Sequence, residues 1–206
     1  MTSLAFDANL RARLAANLAR LERMPAAQAG LKRAAVCVIV TASDSGEAAL
    51  LLTRRAAHLS AHAGQFALPG GRVDEGESAL QAARREAQEE VGLALEAEAF
   101  LGQLDDYPTR SGYLITPLVA WLPAGSEPVP NPAEVASIYR VPLTDLTGRP
   151  EFVAIPESDR PVVRYPLLGT TIHAPTAAVM YQFMEVAVHG RATRVAHLEQ
   201  PVWAWR

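Results

Sequence analysis

Glu86, Glu89 and Glu90 stand at positions i, i+3 and i+4 of the run Arg85-Glu-Ala-Gln-Glu-Glu-Val91. On a helix that spacing places all three carboxylates on one face. Like charges so placed destabilise an isolated helix by roughly 0.2–0.5 kcal/mol per pair, so the cluster calls for a compensating cation. Carboxylate oxygens are hard ligands, which select Mg²⁺, Mn²⁺ or Ca²⁺ over zinc. For three glutamates taken alone, a solvated acidic face would be the plainer reading. Two neighbours argue for chemistry instead. Gly70 and Gly71 come just before the helix and let backbone approach a ligand closely. Arg85 follows Glu77 by eight residues, so the two can pair and brace the intervening loop against the helix.

Other residues are candidates for supporting roles. Arg54 and Arg55 are adjacent guanidinium groups at the end of an apolar run, and guanidinium matches the geometry of phosphate; the bland alternative is a pair of solvated strand-end charges. Glu134, in Asn131-Pro-Ala-Glu-Val135, is a further carboxylate distant in sequence, whose bland reading is a strand-edge group in solvent. His58 and His62 flank the loop after Arg55, but a hard-metal site has no need of imidazole, and the same holds for His173, His189 and His197. Cys37 is the single cysteine and sits in an apolar run, which excludes an intramolecular disulfide and a thiolate metal cluster and predicts a buried, inert thiol.

The elements that must position these groups follow from periodicity. Residues 4–23 carry Leu10, Leu14, Leu18 and Leu21 at helical spacing, with arginines on the other faces. This predicts an amphipathic helix packed on the domain or on a partner subunit, the latter making a homodimer. Residues 25–30 form a break. Runs 34–41 and 48–53 around the polar turn 43–47 predict a hairpin. Glycines and Pro69 punctuate residues 54–76 around a short strand at 65–68. The helix over 77–91 is capped by Ser78, stopped by Gly92, and carries the apolar stripe Leu80, Ala83, Ala87 and Val91. Strands are predicted at 99–104, 114–122 and 134–141, an irregular excursion ending in a strand at 150–172, and a helix over 176–189. Trp203 and Trp205 are expected to be packed or at an interface. Strands on both sides of a helix, with a further helix at the far end, predict a mixed α/β sandwich. The organisation expected is a lead-in over residues 1–32 and one domain over 33–206.

Composition bounds the function. The chain has 206 residues, of which 50% are hydrophobic and 20% charged, enough apolar material for one core without external staples. Its net charge of −3 provides no basic face for duplex nucleic acid but leaves room for a local basic pocket and a small phosphorylated ligand. The N-terminal segment alternates arginine with leucine and alanine, unlike a signal peptide, and no apolar run is long enough to cross a bilayer. A cytoplasmic enzyme acting on a small molecule, with no nucleic-acid or membrane partner, is the expectation.

The segment from Gly71 to Leu93 resembles the Nudix box, G-x5-E-x7-R-E-U-x-E-E-x-G-U, where U is a bulky aliphatic residue. Gly71, Glu77, Arg85, Glu86, Glu89, Glu90, Gly92 and Leu93 fill its places, and Ala87 is smaller than the usual aliphatic. The resemblance implies a Nudix α/β/α sandwich with a mixed sheet and a catalytic loop-helix-loop. It also implies Mg²⁺- or Mn²⁺-dependent attack of water on a phosphorus of a nucleoside diphosphate linked to another moiety. Carried over by position, Glu86, Glu89 and Glu90 would bind metal, with a further ligand from the carbonyl of Gly70 or Gly71. Glu77 and Arg85 would be the structural pair, alongside Gly71 and Gly92. The base would be Glu86, Glu89 or Glu134.

Upstream, Leu51-Leu-Thr-Arg-Arg-Ala56 with Gly64, Pro69, Gly70 and Gly71 is similar to the signature of coenzyme A diphosphatases, L-L-T-x-R-[SA]-x3-R-x3-G-x3-F-P-G-G. Ser60 replaces its second arginine, and Leu68 its phenylalanine. This likeness implies coenzyme A or a derivative as substrate, giving 3′,5′-ADP and phosphopantetheine. The two departures favour, as alternatives, a pyrophosphatase for ADP-ribose, nucleotide sugars or dinucleotides. A nucleotide-sensing module without catalysis is disfavoured by the retention of all the glutamates.

Overall fold

The computed structural model describes residues 4–24, 30–59, 62–148 and 150–205. Ser60 and most of the break expected after residue 24 lie outside the described residues. A mixed sheet is built on β1 (Lys32–Ala42), which pairs in parallel with β7 (Tyr113–Trp121) along its whole length. On its other edge β1 meets β2 (Ala48–Arg55) in an antiparallel hairpin and then β4 (Gly70–Arg72). β2 in turn pairs with the short β3 (Phe66–Ala67) and with β8 (Val135–Pro142), while β5 (Phe100–Gln103) and β6 (Tyr107–Pro108) pair with β7.

Strand alternation divides the core into two layers. Ala35, Cys37, Ile39 and Leu51 face α2 (Ala79–Val91), whose Ala82, Ala83, Ala87 and Val91 pack onto them. Val38, Val40, Leu50 and Leu52 face the opposite layer, made by α1 (Ala8–Ala19), α3 (Thr176–Phe183) and a π-helical turn over Met184–Val188. The result is the expected α/β/α sandwich with a mixed sheet. Cys37 is wholly buried, and desolvation pushes its thiol far above the usual range, which keeps it protonated and inert.

The N-terminal helix packs on its own chain. Its Leu10, Leu14 and Leu18 are buried in the second layer, Leu18 lies against Gly102, and Asn17 Nδ2 donates to the Ala187 carbonyl at 2.9 Å. Residues 150–172 depart from expectation. They form a three-stranded antiparallel sheet, β9 (Glu151–Ile155), β10 (Ser158–Leu167) and β11 (Thr170–His173), rather than an irregular excursion. Pro161 and Pro166 conceal β10 in the sequence, since proline removes a ladder donor. Leu168 and Gly169, at φ +55° and +70°, make the tight turn between β10 and β11. No helix among the described residues is long and apolar enough to cross a membrane.

Helix α2 begins two residues later than its periodicity predicts. Ser78 remains extended as the N-cap and forms a capping box with Gln81, their reciprocal bonds measuring 3.2 and 2.8 Å. Glu77 is thereby left outside the helix, where one oxygen accepts the Asp74 backbone N–H at 3.0 Å. Both of its oxygens accept from Arg85, each at 3.1 Å. Arg85 also donates to the Arg72 carbonyl at 2.9 Å, so a single guanidinium ties β4, the loop and the helix together. At the other end Gly92 takes the left-handed conformation, at φ +68°. The carbonyls of Glu90 and Val91, unpaired within the helix, accept the backbone N–H groups of Asn131 and Val129, both at 2.9 Å.

Two predictions follow from this packing. Leu14 is fully buried, so Leu14→Ala is expected to cost about 3 kcal/mol in guanidinium unfolding. An unchanged midpoint would mean that α1 contributes nothing to the domain. The Arg85 bonds hold the Glu77 carboxyl below its ordinary range, so their stabilisation is present above the ordinary carboxylate pKa and is lost as pH falls through the lowered value. Glu77→Gln is therefore expected to be about 2 kcal/mol less stable near neutral pH. The gap to the parent chain should close in acid, as read by denaturation at several pH values.

Candidate active site

Two carboxylates of α2 press against the backbone of β4. Glu90 is 3% exposed, and its Oε2 accepts the Gly70 N–H at 3.1 Å. Glu86 stands over Gly71 so closely that a Cβ at that position would collide with its carboxylate. A Cβ at Gly70 would strike the Ala35 carbonyl oxygen of β1. Close approach to β1 backbone leaves no room for a side chain at Gly70, and at Gly71 a side chain would have to push the Glu86 carboxylate aside. Glu89, one position before Glu90, is half-exposed and turns toward Arg85.

Arg85 completes a fan of ion pairs. Beyond its two bonds to Glu77, its Nη1 donates to Glu86 Oε1 at 2.8 Å and to Glu89 Oε2 at 3.1 Å. Glu90 has no such partner, and its nearest cation is Arg55 Nη1 at 3.8 Å from Oε1. Burial pushes the Glu90 carboxyl up to about 7, and the charges of Glu86 and Glu134 push in the same direction against Gly70 and Arg55. Burial likewise raises Glu86 despite Arg85 beside it.

The structure brings Glu134 into this field. It lies in the turn before β8, distant in sequence from α2, yet its charge bears on both Glu86 and Glu90. The delivery is by backbone. The Asn131 and Val129 bonds to the end of α2 fix the approach, and the Glu134 carbonyl accepts the Ala56 N–H at 2.8 Å. His58 contributes a tie from the same loop, with its Nε2 3.1 Å from the Ala133 carbonyl.

The site is short of positive charge, and its donors are all hard oxygens, so the residues present fit a divalent cation such as Mg²⁺ or Mn²⁺. In the arrangement seen here Glu86 and Glu89 are drawn to Arg85 while Glu90 is drawn to Gly70. Among the described residues no group of three acidic, histidine or cysteine side chains is gathered around one point as a finished metal centre.

A cleft of about 380 Å³ opens beside the glycines. Arg55, Gly70, Gly71 and Arg72 line it at the glutamate side, Phe66, Leu68, Ile115 and Val179 supply apolar surface, and Thr109, Ser111, Tyr113, Thr176 and Gln200 form a polar wall. A larger groove of about 970 Å³ between α1, β9 and the π-helical turn has Glu47 and Glu185 in its lining but none of Glu86, Glu89, Glu90 and Glu134. Of the adjacent arginines only Arg55 lines the cleft; Arg54 is exposed and bonds the Gly64 carbonyl at 3.3 Å. Arg72 was not singled out in the sequence, and its guanidinium donates to the Tyr113 hydroxyl at 2.8 and 3.1 Å. Of the two C-terminal tryptophans, Trp205 packs over the Arg110 guanidinium at 4.0 Å, and Trp203 is half-exposed with its edge to His173.

Comparison with known proteins places this arrangement. A family model of the NUDIX domain matches residues 31–164. The uncharacterized Nudix hydrolase NudL of Photorhabdus laumondii is 50% identical over 97 residues, which is 47% of this chain and 52% of that protein. Its namesake in Yersinia pestis is 42% identical over 113 residues, 54% of this chain and 56% of the relative. The chain thus spans about half the length of the curated relatives it matches. Among solved structures, a MutT/nudix family protein from Enterococcus faecalis matches with a TM-score of 0.56 over 82% of this chain and 66% of that one; at 16% identity the likeness is one of fold. With its box folded as a loop-helix-loop against a mixed sheet, and the family model spanning more than half its length, the chain belongs to the Nudix family.

Proposed function

We propose that the chain hydrolyses a pyrophosphate bond in a nucleoside diphosphate derivative, with coenzyme A or a derivative of it as the substrate. The observation that carries the reading is the packing of Glu86 and Glu90 against Gly70–Gly71, with the charge of Glu134 bearing on both, at the edge of a cleft that Arg55 lines. Glu86, Glu89 and Glu90, with the Gly70 carbonyl, would hold Mg²⁺ or Mn²⁺. Such an ion supplies Lewis-acid polarisation of phosphoryl oxygens and a lowered pKa for bound water.

The protein's own groups supply the rest. Arg55, partly buried and with its Nε unbonded, can turn its guanidinium to a phosphate oxygen and hold the diphosphate in place. Arg85 keeps β4 and α2 in register, so the carboxylates stay at a fixed distance from the backbone. Glu134 is the preferred base: it sits on a turn opposite the helix, has its charge in the cluster, and is free of the Arg85 fan that occupies Glu86 and Glu89. It would accept the proton of the attacking water as the new P–O bond forms.

Coenzyme A is favoured by the segment running from Leu51 to Gly71, which folds into β2, β3 and β4 and lines the cleft. Leu68 stands where the related signature has phenylalanine, yet Phe66 brings an aromatic ring to the same cleft two residues earlier.

A substrate panel tests the reading. With Mg²⁺ or Mn²⁺, coenzyme A is expected to yield 3′,5′-ADP and phosphopantetheine, both quantified as products. Turnover of ADP-ribose or dinucleotides with none of coenzyme A would remove the coenzyme A assignment and leave the hydrolase. Glu90→Gln keeps an acceptor for Gly70 but loses the charge, and is expected to lower kcat by at least about 100-fold. Undiminished turnover in that variant would refute the metal-site reading.

A further inference from the structure

The polar wall of the cleft carries a side-chain amide donor with no acceptor among the described residues. Gln200 is 2% exposed, and its Oε1 accepts the Ser111 backbone N–H at 3.2 Å. A backbone amide can only donate, so this bond fixes which end of the carboxamide is oxygen. The Ser111 hydroxyl, 3.4 Å from the same oxygen, agrees with that orientation. Nε2 is the remaining end and has no acceptor among the described residues, although Gln200 lines the cleft.

The side chain is held still. The Gln200 N–H donates to Glu199 Oε1 at 2.9 Å, and its carbonyl accepts Trp205 Nε1 at 3.3 Å. Glu199 is itself buried and paired with Arg110 and Ser158 at 3.3 and 3.1 Å. Nε2 is not among the fully buried unbonded side-chain atoms, so this fixed donor opens onto the cleft, where an acceptor on a ligand can take the place of water.

Strand register gives the offset of this wall along β1. On β1, Val36 pairs with Gly70 on one edge, while Lys32 pairs on the other edge with Tyr113, which the Thr109–Ser111 turn adjoins. Four strand residues separate those rungs, an offset of about 13 Å along the strand. A diphosphate seated at Gly70–Gly71 would extend its organic group over Phe66, Leu68 and Ile115 before reaching this wall.

We propose that Gln200 is a specificity-determining residue whose carboxamide N–H group recognises a hydrogen-bond acceptor, a carbonyl or ring nitrogen, on the organic moiety attached to the diphosphate. The proposal rests on the pyrophosphohydrolase reading. It assigns discrimination to a residue beyond the 31–164 stretch that the family model matches.

Gln200→Glu keeps an oxygen for Ser111 and removes the donor; Gln200→Met removes both polar ends at similar volume. Each is compared with the parent chain on coenzyme A, ADP-ribose and a dinucleotide. For the parent's best substrate, kcat/KM is expected to fall by about 10-fold or more, chiefly through KM, with kcat little changed. Poorer substrates should lose less, so the preference narrows. An unchanged kcat/KM for the best substrate, or an equal fall across the panel, overturns the proposal while leaving the hydrolase reading intact. If the parent chain turns over no member of the panel, both fall together. Should the methionine variant fail to fold, the glutamate variant decides alone.

Discussion

Glu90 is buried against a glycine with one backbone N–H close by and a guanidinium 3.8 Å away. A carboxylate in that position is costly, because desolvation works against its charge and two neighbouring glutamates add to the repulsion. Much of the local architecture serves to hold it there. Gly70 lets β4 lie close on β1, and Gly71 leaves room for the Glu86 carboxylate against β4. Arg85 fastens strand, loop and helix with bonds to Arg72, Glu77, Glu86 and Glu89. The 129–134 segment closes the open end of the helix and carries Glu134 in with it. Arg85 pairs with the outer carboxylates and leaves the inner one to the Gly70 N–H and the more distant Arg55, so positive charge is short at that point. On the proposed reading a divalent cation would relieve that deficit and couple metal binding to the stability of the loop-helix unit.

The parts of this arrangement visible in the sequence are those built from short-range geometry. Glu77 and Arg85 are separated by the Ser78 cap and about two helical turns, so their pairing could be read from spacing, as could the Ser78 cap and the Gly92 stop. The β1–β2 hairpin was legible because its turn is polar and its strands are apolar. The second sheet was not, since prolines interrupt β10 and its exposure is mixed. Arg54 and Arg55 could not be told apart from sequence. Alternation sends neighbours to opposite faces, but a register shift against β8 falls between them, and only the pairing shows which one lines the cleft.

The polar wall of the cleft is a product of long-range contacts. Ser111 and Gln200 are 89 residues apart in sequence, as are Arg110 and Glu199. Neither end carries a motif, so no local pattern announces the pair. A separate buried ionic hub ties the C-terminal stretch to the domain. Asp105, just before β6, accepts from Arg194 at 2.6 Å, from Gln182 at 2.8 Å and from the Met24 N–H at 2.9 Å. This joins the segment after α1, the helix α3 and the C-terminal stretch at one carboxylate. Buried pairs of this kind add little net stability over an apolar core, but removing one partner is costly. Asp105 therefore acts chiefly on alignment.

The two sides of the cleft differ in what they permit. On the glutamate side almost every position is fixed by close approach: Gly70 by β1, Gly71 by Glu86, and Arg85 by four acceptors. A substitution there disturbs the chemistry before it alters selectivity. The opposite wall is assembled from Thr109, Ser111, Thr176 and Gln200, small or uncharged polar groups whose exchange leaves the carboxylate cluster untouched. A hydrogen bond made there to a distal group discriminates more sharply than apolar contact, because a substrate lacking the acceptor leaves a buried donor unpaired. On the proposed reading the box sets which bond can be broken, and the wall, with Thr176 and Gln200 contributed from beyond the family-matched stretch, sets whose bond it is.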